Sequence, residues 1–375
     1  GAFTNLIAEG IIPGLGGIVI FIPQIAFLFL FISILEESGY MSRVVFLMDR
    51  IMRRFGLSGK SIVPLISGTA CAIPAIMATR NIESWKERLI TILVTPFTTC
   101  SARLPVYLII IALVIPEGRF IGLSYQALTL MLLYLIGFGT AIISAWILNK
   151  ILKIKSKTFF VVEMPNYKLP LFKNVALTVI EKTKSFVFGA GKIILAISIV
   201  LWFLASYGPG DNFNNAEAIV TTEYATQDLS EEELQQKIAS HKLEHSFIGI
   251  AGHAIEPAIR PLGYDWKIGI AIVSSFAARE VFVGTLATIY SVGNDEEETI
   301  KNRMAGEVNP ILGGPLFNFA SGISLLLFYA FAMQCMSTLA IVKRETNSWK
   351  WPTLQLVTMS GFAYIIALIA YQVLK

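Results

Sequence analysis

The chain has 375 residues, of which 55% are hydrophobic and only 15% are charged, and its mean hydropathy is +0.66. Soluble domains carry about 25% charged residues, so this composition argues against a soluble enzyme or a nucleic-acid-binding protein. It predicts an integral membrane protein whose main surroundings are lipid. The net charge of +4 indicates no partner, because the charges are segregated between loops.

Six apolar runs are long enough to cross the hydrocarbon core as helices, which takes roughly 20 residues each. In chain order they cover 14–37, 87–115, 122–152, 185–207, 314–342 and 351–374. The chain is therefore predicted to be an all-α, polytopic membrane protein.

Two further apolar segments, 59–82 and 266–292, are interrupted by small and polar residues. A bilayer tolerates an interrupted helix only where protein or a water-filled cavity surrounds the unpaired backbone. We expect both segments to be re-entrant hairpins built from broken helices, although a full span stays open for 266–292.

The charges of the loops predict the orientation of the chain in the membrane. The stretch 39–60 holds five basic residues against one acid, and 149–184 holds eight lysines against two glutamates. By contrast, 208–245 holds eight acids against two lysines. Because basic loops stay in the cytoplasm, the first two stretches are predicted to lie inside and the acidic one outside.

The order of these segments predicts two repeats. The first repeat covers 1–152, a basic cytoplasmic linker covers 153–184, and the second repeat covers 185–375 with the acidic extracytoplasmic insert at 208–245. Parity of the predicted spans gives the two repeats opposite orientations. Inverted repeats with discontinuous helices near the bilayer midplane are typical of transporters.

Three cysteines, none in a C-x-x-C pair, are the main candidates for chemistry. Cys71 lies in S-G-T-A-C-A-I-P-A-I-M-A-T-R, Cys100 in P-F-T-T-C-S-A-R-L-P-V-Y, and Cys335 in A-M-Q-C-M-S-T. A single buried cysteine usually acts as a small hydrophobe, but these thiols lie at breaks that also offer carbonyls and the hydroxyls of Thr69 and Ser101. Soft sulfur ligands favour transition metals over magnesium or calcium, so the pattern predicts a pathway for a transition-metal ion.

Charged side chains within apolar sequence are functional candidates by default, because burying them in a membrane is costly. The candidates are Glu36, Glu37, Arg80, Arg103, Arg279 and Glu280. For Glu36 and Glu37, which precede the candidate ligand Met41, an interfacial role stays open. For Glu280 a structural ion pair with Arg279 competes with a place on the pathway, whereas Arg103 is expected to bind broken backbone.

Several apparent motifs do not support another activity. The sequence G-L-S-G-K-S at 56–61 is two residues too short for a phosphate-binding G-x-x-x-x-G-K-[ST] loop, so no GTP site is expected in this chain. His241 and His245 have a spacing that can chelate a metal, but their acidic surroundings favour a solvated helix. Because no histidine lies in the broken segments, no catalytic residue is predicted and a thiol enzyme is disfavoured.

Further motifs make the sequence recognisable. They are L-E-E-S-G-Y-M-S-R (35–43), G-L-S-G-K-S-I-V-P-L-I-S-G (56–68), P-L-G-Y-D-W-K-I-G-I-A (261–271), A-A-R-E-V-F-V-G-T-L (277–286) and K-R-E-T-N-S-W-K-W (343–351). Together with the cysteine motifs, they resemble the membrane domain of the ferrous iron transport protein B (FeoB) family in family order across nearly the whole chain.

The resemblance implies Fe(II) uptake across the bacterial cytoplasmic membrane. It implies that Cys71 and Cys100 belong to two gate motifs on the iron path, that Cys335 matches a later motif, and that each half is a gate domain. The expected partners are a cytoplasmic GTPase domain absent from this sequence and small cytoplasmic Feo accessory proteins, and a homo-oligomer stays open. Two departures from the family pattern, Ala72 for asparagine and Gln334 for proline, change the ligand set.

The leading hypothesis is therefore an Fe(II) transporter core with cysteines and broken-helix carbonyls along its path. The metal-ligand candidates are Cys71, Cys100, Cys335, Thr69, Ser101, Glu36, Glu37, Met41 and Glu280. One alternative is a carrier of another divalent metal or of a nucleoside on the same architecture. Another is a membrane anchor or scaffold for a regulatory GTPase.

Overall fold

The computed structural model describes residues 4, 6–120, 122–152, 167–223, 231–276, 279, 282, 285–286, 315–333 and 335–375. Over these residues the chain is helical, apart from one antiparallel ribbon of β1 (Arg119–Phe120) and β2 (Leu123–Ser124). The α-helices of the first half are α1 (Ile12–Glu37), α2 (Tyr40–Met52), α3 (Ile62–Gly68), α4 (Ala72–Ala78), α5 (Trp85–Val94), α6 (Leu104–Val114) and α7 (Tyr125–Ile151).

The α-helices described in the second half of the chain are numbered onward from α8. They are α8 (Phe172–Phe186), α9 (Lys192–Ser206), α10 (Asp211–Asn214), α11 (Ala216–Glu223), α12 (Glu231–Glu244), α13 (Phe247–Ile259), α14 (Trp266–Ser275), α15 (Phe319–Phe331), α16 (Met336–Thr346) and α17 (Lys350–Leu374). Short 3-10 turns lie at Arg53–Phe55, Gly59–Ser61, Thr79–Asn81, Thr95–Phe97, Ser101–Arg103 and Arg260–Leu262, and π-turns at Leu6–Ile11 and Val187–Gly191.

Among the described residues, four helical stretches, rather than the six predicted, are long and apolar enough to cross a membrane. They are Trp85–Val114, Tyr125–Ile151, Phe319–Thr346 and Lys350–Leu374. A fifth is present if Ile25–Glu37 and Tyr40–Phe55, which meet at 85°, are counted as one broken span. The prediction of an all-α, polytopic membrane protein is therefore confirmed.

Local sequence sets where these helices begin and turn. The side chains of Ser84, Ser124 and Asn318 each accept a hydrogen bond from a first-turn N–H of the helix that follows, which is the usual role of Ser and Asn at a helix start. Gly39 has a φ of +77° between α1 and α2. Because glycine adopts this left-handed conformation without steric cost, it allows the sharp bend.

The segment 59–82 enters and leaves the protein at one face. Helices α3 and α4 have seven residues each, so each is about 10 Å long, far short of the roughly 30 Å hydrocarbon core. At the start of the segment Lys60 Nζ donates to Glu83 Oε1 at its end, over 2.9 Å. Lys86 Nζ donates to the carbonyl of Asn149 (3.1 Å), so the end of α7 lies at this same face, called the basic face below. These contacts agree with the re-entrant hairpin predicted for 59–82.

The second interrupted segment starts at the other face. Tyr264 OH hydrogen-bonds Ser324 Oγ (2.9 Å), and Gln372 Nε2 donates to the carbonyl of Pro261 (3.2 Å). The residues before α14, the first turns of α15 and the end of α17 therefore lie together at the opposite face. Residues 264 and 324 lie at the same face, but most of 277–314 lies outside the described residues, so the hairpin expected for 266–292 stays a prediction.

The interrupted spans of the two halves run in opposite directions. Span α5–α6 leads away from the basic face, whereas α15–α16 leads towards it and ends at Glu345, which binds Arg80 Nη2 (2.6 Å) and Arg88 Nη2 (2.9 Å). This arrangement agrees with the predicted inversion. The domain boundaries at 152 and 184 stay predictions, because 153–166 lies outside the described residues.

The predicted linker is partly helical. Helix α8 starts at Phe172, well before the predicted span 185–207, and continues through a π-turn into α9. It packs along α1, and Glu37 at the end of α1 accepts hydrogen bonds from the backbone N–H of Leu171 (3.1 Å) and from Asn174 Nδ2 (2.9 Å).

Candidate metal-ion pathway

Each cysteine lies where a helix is interrupted. Cys71 separates α3 from α4 with extended backbone (φ −156°, ψ 131°), and Cys100 lies between α5 and α6 with φ −89° and ψ 161°. Cys335 separates α15 from α16 (φ −153°, ψ 100°). All three belong to the described residues, are thiols without a disulfide, and are partly exposed. The thiols thus accompany backbone that has left the helical hydrogen-bond pattern.

The breaks at Cys71 and Cys100 adjoin each other. The backbone N–H and the Oγ of Ser101 both donate to the carbonyl of Ala70, over 3.3 and 2.8 Å. Ala70 directly precedes Cys71 and Ser101 directly follows Cys100, so this double hydrogen bond brings the two thiol-bearing residues to neighbouring positions. The backbones of the Cys71 and Cys100 breaks therefore meet at Ala70 and Ser101, and a shared ligand role of their side chains stays a prediction.

The break at Cys335 repeats this junction. The N–H of Met336 donates to the carbonyl of Phe276, at the end of α14, over 3.1 Å. Met336 follows Cys335 as Ser101 follows Cys100, so Phe276 takes the place of Ala70. In this register the sequence has Ala277 where the first half has Cys71, and the second junction has a single thiol.

Aromatic and aliphatic contacts place the two interrupted spans side by side. The ring of Phe362 in α17 makes edge contacts with Phe97, shortly before Cys100, and with Phe331, shortly before Cys335, at centroid distances of 6.2 and 5.2 Å. Helix α4 packs against α16, and Cys71 lies against the same buried cluster as residues of both helices. The breaks at Cys100 and Cys335 therefore lie on two sides of Phe362, and the break at Cys71 lies beside the helix that follows Cys335.

Two buried arginines bind the carbonyls that the breaks release. Arg103 is 0% exposed, and its guanidinium donates to the carbonyls of Pro96 (3.0 Å), Thr98 (3.3 Å) and Phe97 (3.5 Å). Buried carbonyls need such partners, because an unsatisfied one costs about 1–3 kcal/mol. The prediction that Arg103 binds broken backbone is confirmed.

Arg279 does the same in the second half. Its guanidinium is buried and donates to the carbonyls of Ala332 (3.1 Å) and Tyr329 (3.4 Å), just before Cys335. Glu280, the partner and pathway residue predicted beside it, lies outside the described residues. Its roles stay predictions.

Oxygen donors near the thiols were only partly visible in the sequence. Thr69 Oγ1 donates to the carbonyl of Ile66 (2.6 Å) next to the Cys71 break. Sequence reasoning missed Tyr107 and Ser337 as oxygen donors. Their hydroxyls are buried, as is Thr99 Oγ1. Their signal was a polar side chain within one or two turns after a break, in an otherwise apolar run.

Two glycines allow the first break to be enclosed. A Cβ on Gly68 would lie 2.4 Å from Thr98 Oγ1, and a Cβ on Gly137 would lie 2.8 Å from Thr99 Oγ1. Helices α3 and α7 thus approach the T-T-C sequence on two sides. Nothing in the sequence marks these two glycines among the 28 of the chain.

The remaining predicted ligands lie at the end of α1 on the basic side. Glu36 is exposed, Glu37 binds Leu171 and Asn174 through both carboxylate oxygens, and Met41 is half-buried in α2. These contacts tie Glu37 to helix α8. A metal-binding role for these three residues stays a prediction.

Comparisons with known proteins agree with this architecture. The family described as "Gate: Nucleoside recognition" matches residues 18–114 and 187–349, and the family described as "Ferrous iron transport protein B C terminus" matches 130–182. Each gate match includes one interrupted segment, for which we predict re-entry, and one interrupted span. No solved structure matched the chain.

Individual relatives extend over the whole chain. The Fe(2+) transporter FeoB of Leptospira interrogans is 46% identical over 100% of this chain, and that of Staphylococcus aureus (strain MSSA476) is 38% identical over 98%. An Fe(2+) transport protein A/FeoB fusion protein of Porphyromonas gingivalis is 36% identical over 100% of the chain. The chain spans about half the length of these relatives, 51%, 49% and 44%. The chain is a multi-pass protein of the bacterial inner membrane; it belongs to the gate family and matches the C-terminal membrane part of its ferrous iron transport protein B relatives.

Proposed function

We propose that this chain forms the ion-conducting part of an Fe(II) transporter, with a path lined by cysteine thiols, hydroxyls and carbonyls of broken helices. The observation that supports the proposal is the double hydrogen bond from Ser101 to the carbonyl of Ala70, which joins the break at Cys100 to the break at Cys71. The transport activity named for the relatives supports Fe(II) as the ion.

The donor set suits a borderline metal that must bind and leave again. Thiolates favour Fe(II) over magnesium and calcium, while hydroxyls and carbonyls replace part of the hydration shell. A mixed and incomplete shell holds the ion more weakly than four thiolates would. The ion would pass from the opposite face past Cys100, Cys71 and Cys335 to the basic face.

The thiols must stay reduced for this role, because oxidation to sulfenic acid or beyond removes their ligand capacity. Opening would move the hairpin α3–α4 against span α5–α6 and break the Ser101–Ala70 hydrogen bonds. We further propose that a cytoplasmic GTPase domain and small accessory proteins control this step, since the relatives are about twice as long and one is a fusion with transport protein A.

The test is Fe(II) uptake into proteoliposomes that contain the full-length protein with Cys71→Ser and Cys100→Ser. We expect uptake to fall about 10-fold or more, as for disturbed metal shells in general, while Cys335→Ser measures the third thiol separately. Size-exclusion profiles and melting temperatures serve as folding controls. Undiminished uptake by a folded double variant would discard the thiol pathway.

X-ray absorption at the iron K-edge gives a second measurement. An Fe(II)-loaded sample should show sulfur scatterers at about 2.3 Å, the usual metal–thiolate distance, and the double variant should lose them. A spectrum with oxygen and nitrogen scatterers alone in the unmodified protein would contradict the proposal.

A nucleoside carrier is the second candidate, because the matching gate family is described by nucleoside recognition. On that interpretation, nucleosides would compete with Fe(II) for binding, and the cysteine substitutions would leave nucleoside uptake intact. The paired thiols favour the metal, since nucleoside recognition has no need of sulfur ligands. A pure membrane anchor for a GTPase would bind neither.

A further inference from the structure

The three histidines of the chain lie together at the opposite face. The rings of His241 and His245 have centroids 4.4 Å apart. His253 Nε2 lies 3.9 Å from a carboxylate oxygen of Glu244. All the imidazoles of the chain therefore gather around one glutamate, although the sequence favoured only a solvated helix here.

Two of these histidines and the glutamate can reach one ion. One ligand atom each from His241, Glu244 and His245 lies within 4.8 Å of the other two. Glu244 and His245 follow His241 by three and four residues at the end of α12, the spacings at which a helix brings side chains next to each other. The N–H of His245 donates to the carbonyl of His241 (3.2 Å), so the helical turn continues through the third residue.

The hydrogen bonds of the two rings leave nitrogens available for a ligand. Nδ1 of His245 is 3.1 Å from the carbonyl of His241, a contact that fixes the ring and leaves Nε2 for a metal, as in many metal sites. Nε2 of His241 is buried and has no hydrogen-bond partner among the described residues. Buried polar atoms are rarely left in this state without a missing ligand, ion or water.

We propose that His241, Glu244 and His245 form a binding site for a divalent transition-metal ion. Two imidazoles and one carboxylate are the donor set of non-haem Fe(II) sites, and the same set binds zinc in several hydrolases. Water completes the coordination shell, so the ion exchanges with the solvent. The site goes beyond the proposed function, because binding here requires no transport.

The location suits capture of a cation on the side away from the basic face. His245 lies against Gly208, just beyond the end of α9, and His253 stacks on Trp266, the first residue of α14, at 4.7 Å. Eight acidic residues against two lysines in 208–245 attract cations to this region. The site therefore stands beside the helix that leads inward to the Cys335 junction and is separate from the thiols.

Co(II) titration of the purified chain tests the proposal. The titrated protein carries Cys71→Ser, Cys100→Ser and Cys335→Ser, so thiolates contribute neither affinity nor charge-transfer absorption. We expect one Co(II) to bind with the d–d absorption of nitrogen and oxygen ligands. Adding His241→Ala and His245→Ala should weaken binding about 10-fold or more. Absent binding before the histidine changes, or unchanged binding after them, would overturn the site.

Three further variants make the result specific. Lys242 lies on the same helix between the proposed ligands. The control variant Lys242→Ala should therefore leave the Co(II) affinity unchanged. His253→Ala removes only the neighbour of Glu244 and should cost less than the double change. His241→Gln with His245→Gln preserves size and polarity, so lost binding in that folded variant reports ligand loss. Fe(II) uptake in proteoliposomes is measured separately, so this site and the thiol pathway can fail independently.

Discussion

The carbonyls before Cys100 bind Arg103, a residue of the same span, whereas those before Cys335 bind Arg279, a residue of the re-entrant segment. The first break is thus satisfied within its own span, and the second depends on a neighbouring element. Hairpin α3–α4 is fastened to the first break by the Ser101–Ala70 hydrogen bonds. Because buried carbonyls are costly to leave unpaired, we expect displacement of the first hairpin to cost less than displacement of the second, and we propose that the first hairpin is the one that moves.

Replacing the two arginines tests this comparison most severely. Arg103→Met leaves three buried carbonyls without a donor and should lower the free energy of unfolding by about 4 kcal/mol, while Arg279→Met leaves two and should cost about 2–3 kcal/mol. Unfolding in mixed micelles measures both. Equal stabilities of the two variants and the parent would show that the carbonyls find other partners.

Glu345 joins the two regions at the basic face and gives the next largest effect. Its carboxylate is 2% exposed and binds Arg80 and Arg88, so Glu345→Gln should cost about 2 kcal/mol by weakening charge-assisted hydrogen bonds. Glu83→Gln is the matched control, because Glu83 is 74% exposed and pairs only at the surface with Lys60. Its cost should stay below about 1 kcal/mol, and similar losses in both variants would contradict a clamp between the halves.

The enclosure of the first break predicts a position-specific effect in α7. Gly137→Ala places a methyl group against Thr99 Oγ1 and the carbonyl of Phe97 and should cost about 2 kcal/mol by overpacking. A Cβ on Gly139 meets nothing within 4 Å, so Gly139→Ala should be neutral or stabilise the helix slightly. Thermal unfolding of the pair gives the answer. A melting temperature that rises in both variants would mean that α7 does not press on the break.

The smallest expected effect comes from making the first junction resemble the second. Ser101→Ala removes the side-chain hydrogen bond to the carbonyl of Ala70 and leaves the backbone N–H bond to the same carbonyl. At the second junction, the N–H of Met336 makes the equivalent bond to the carbonyl of Phe276. The expected cost is about 1 kcal/mol, with faster amide exchange at residue 101. Ser101→Thr retains the hydroxyl and should exchange like the parent protein. An unchanged rate of amide exchange in Ser101→Ala would show that the hydroxyl does not stabilise the junction between the two breaks.

The sequence alone predicted much of this architecture. Apolar runs near the length of a bilayer determine where the long helices lie, because a helix in lipid must be apolar over that length. The Gly-, Pro- and hydroxyl-rich stretches around Cys71 and Cys100 determine where helices break. The position of Arg103 in such a stretch, within apolar sequence, predicts that it binds backbone carbonyls.

Tertiary structure decided which breaks meet and which charges are paired. The bond between Ser101 and Ala70, the position of Phe362 between two spans, and the contact of Glu345 with Arg80 join residues remote in the chain, and no local pattern encodes such distances. The same holds for His241, whose spacing to His245 is compatible with either a solvated helix or a metal site. Only packing against neighbouring helices shows that its Nε2 is buried, because burial depends on elements that the local sequence does not contain.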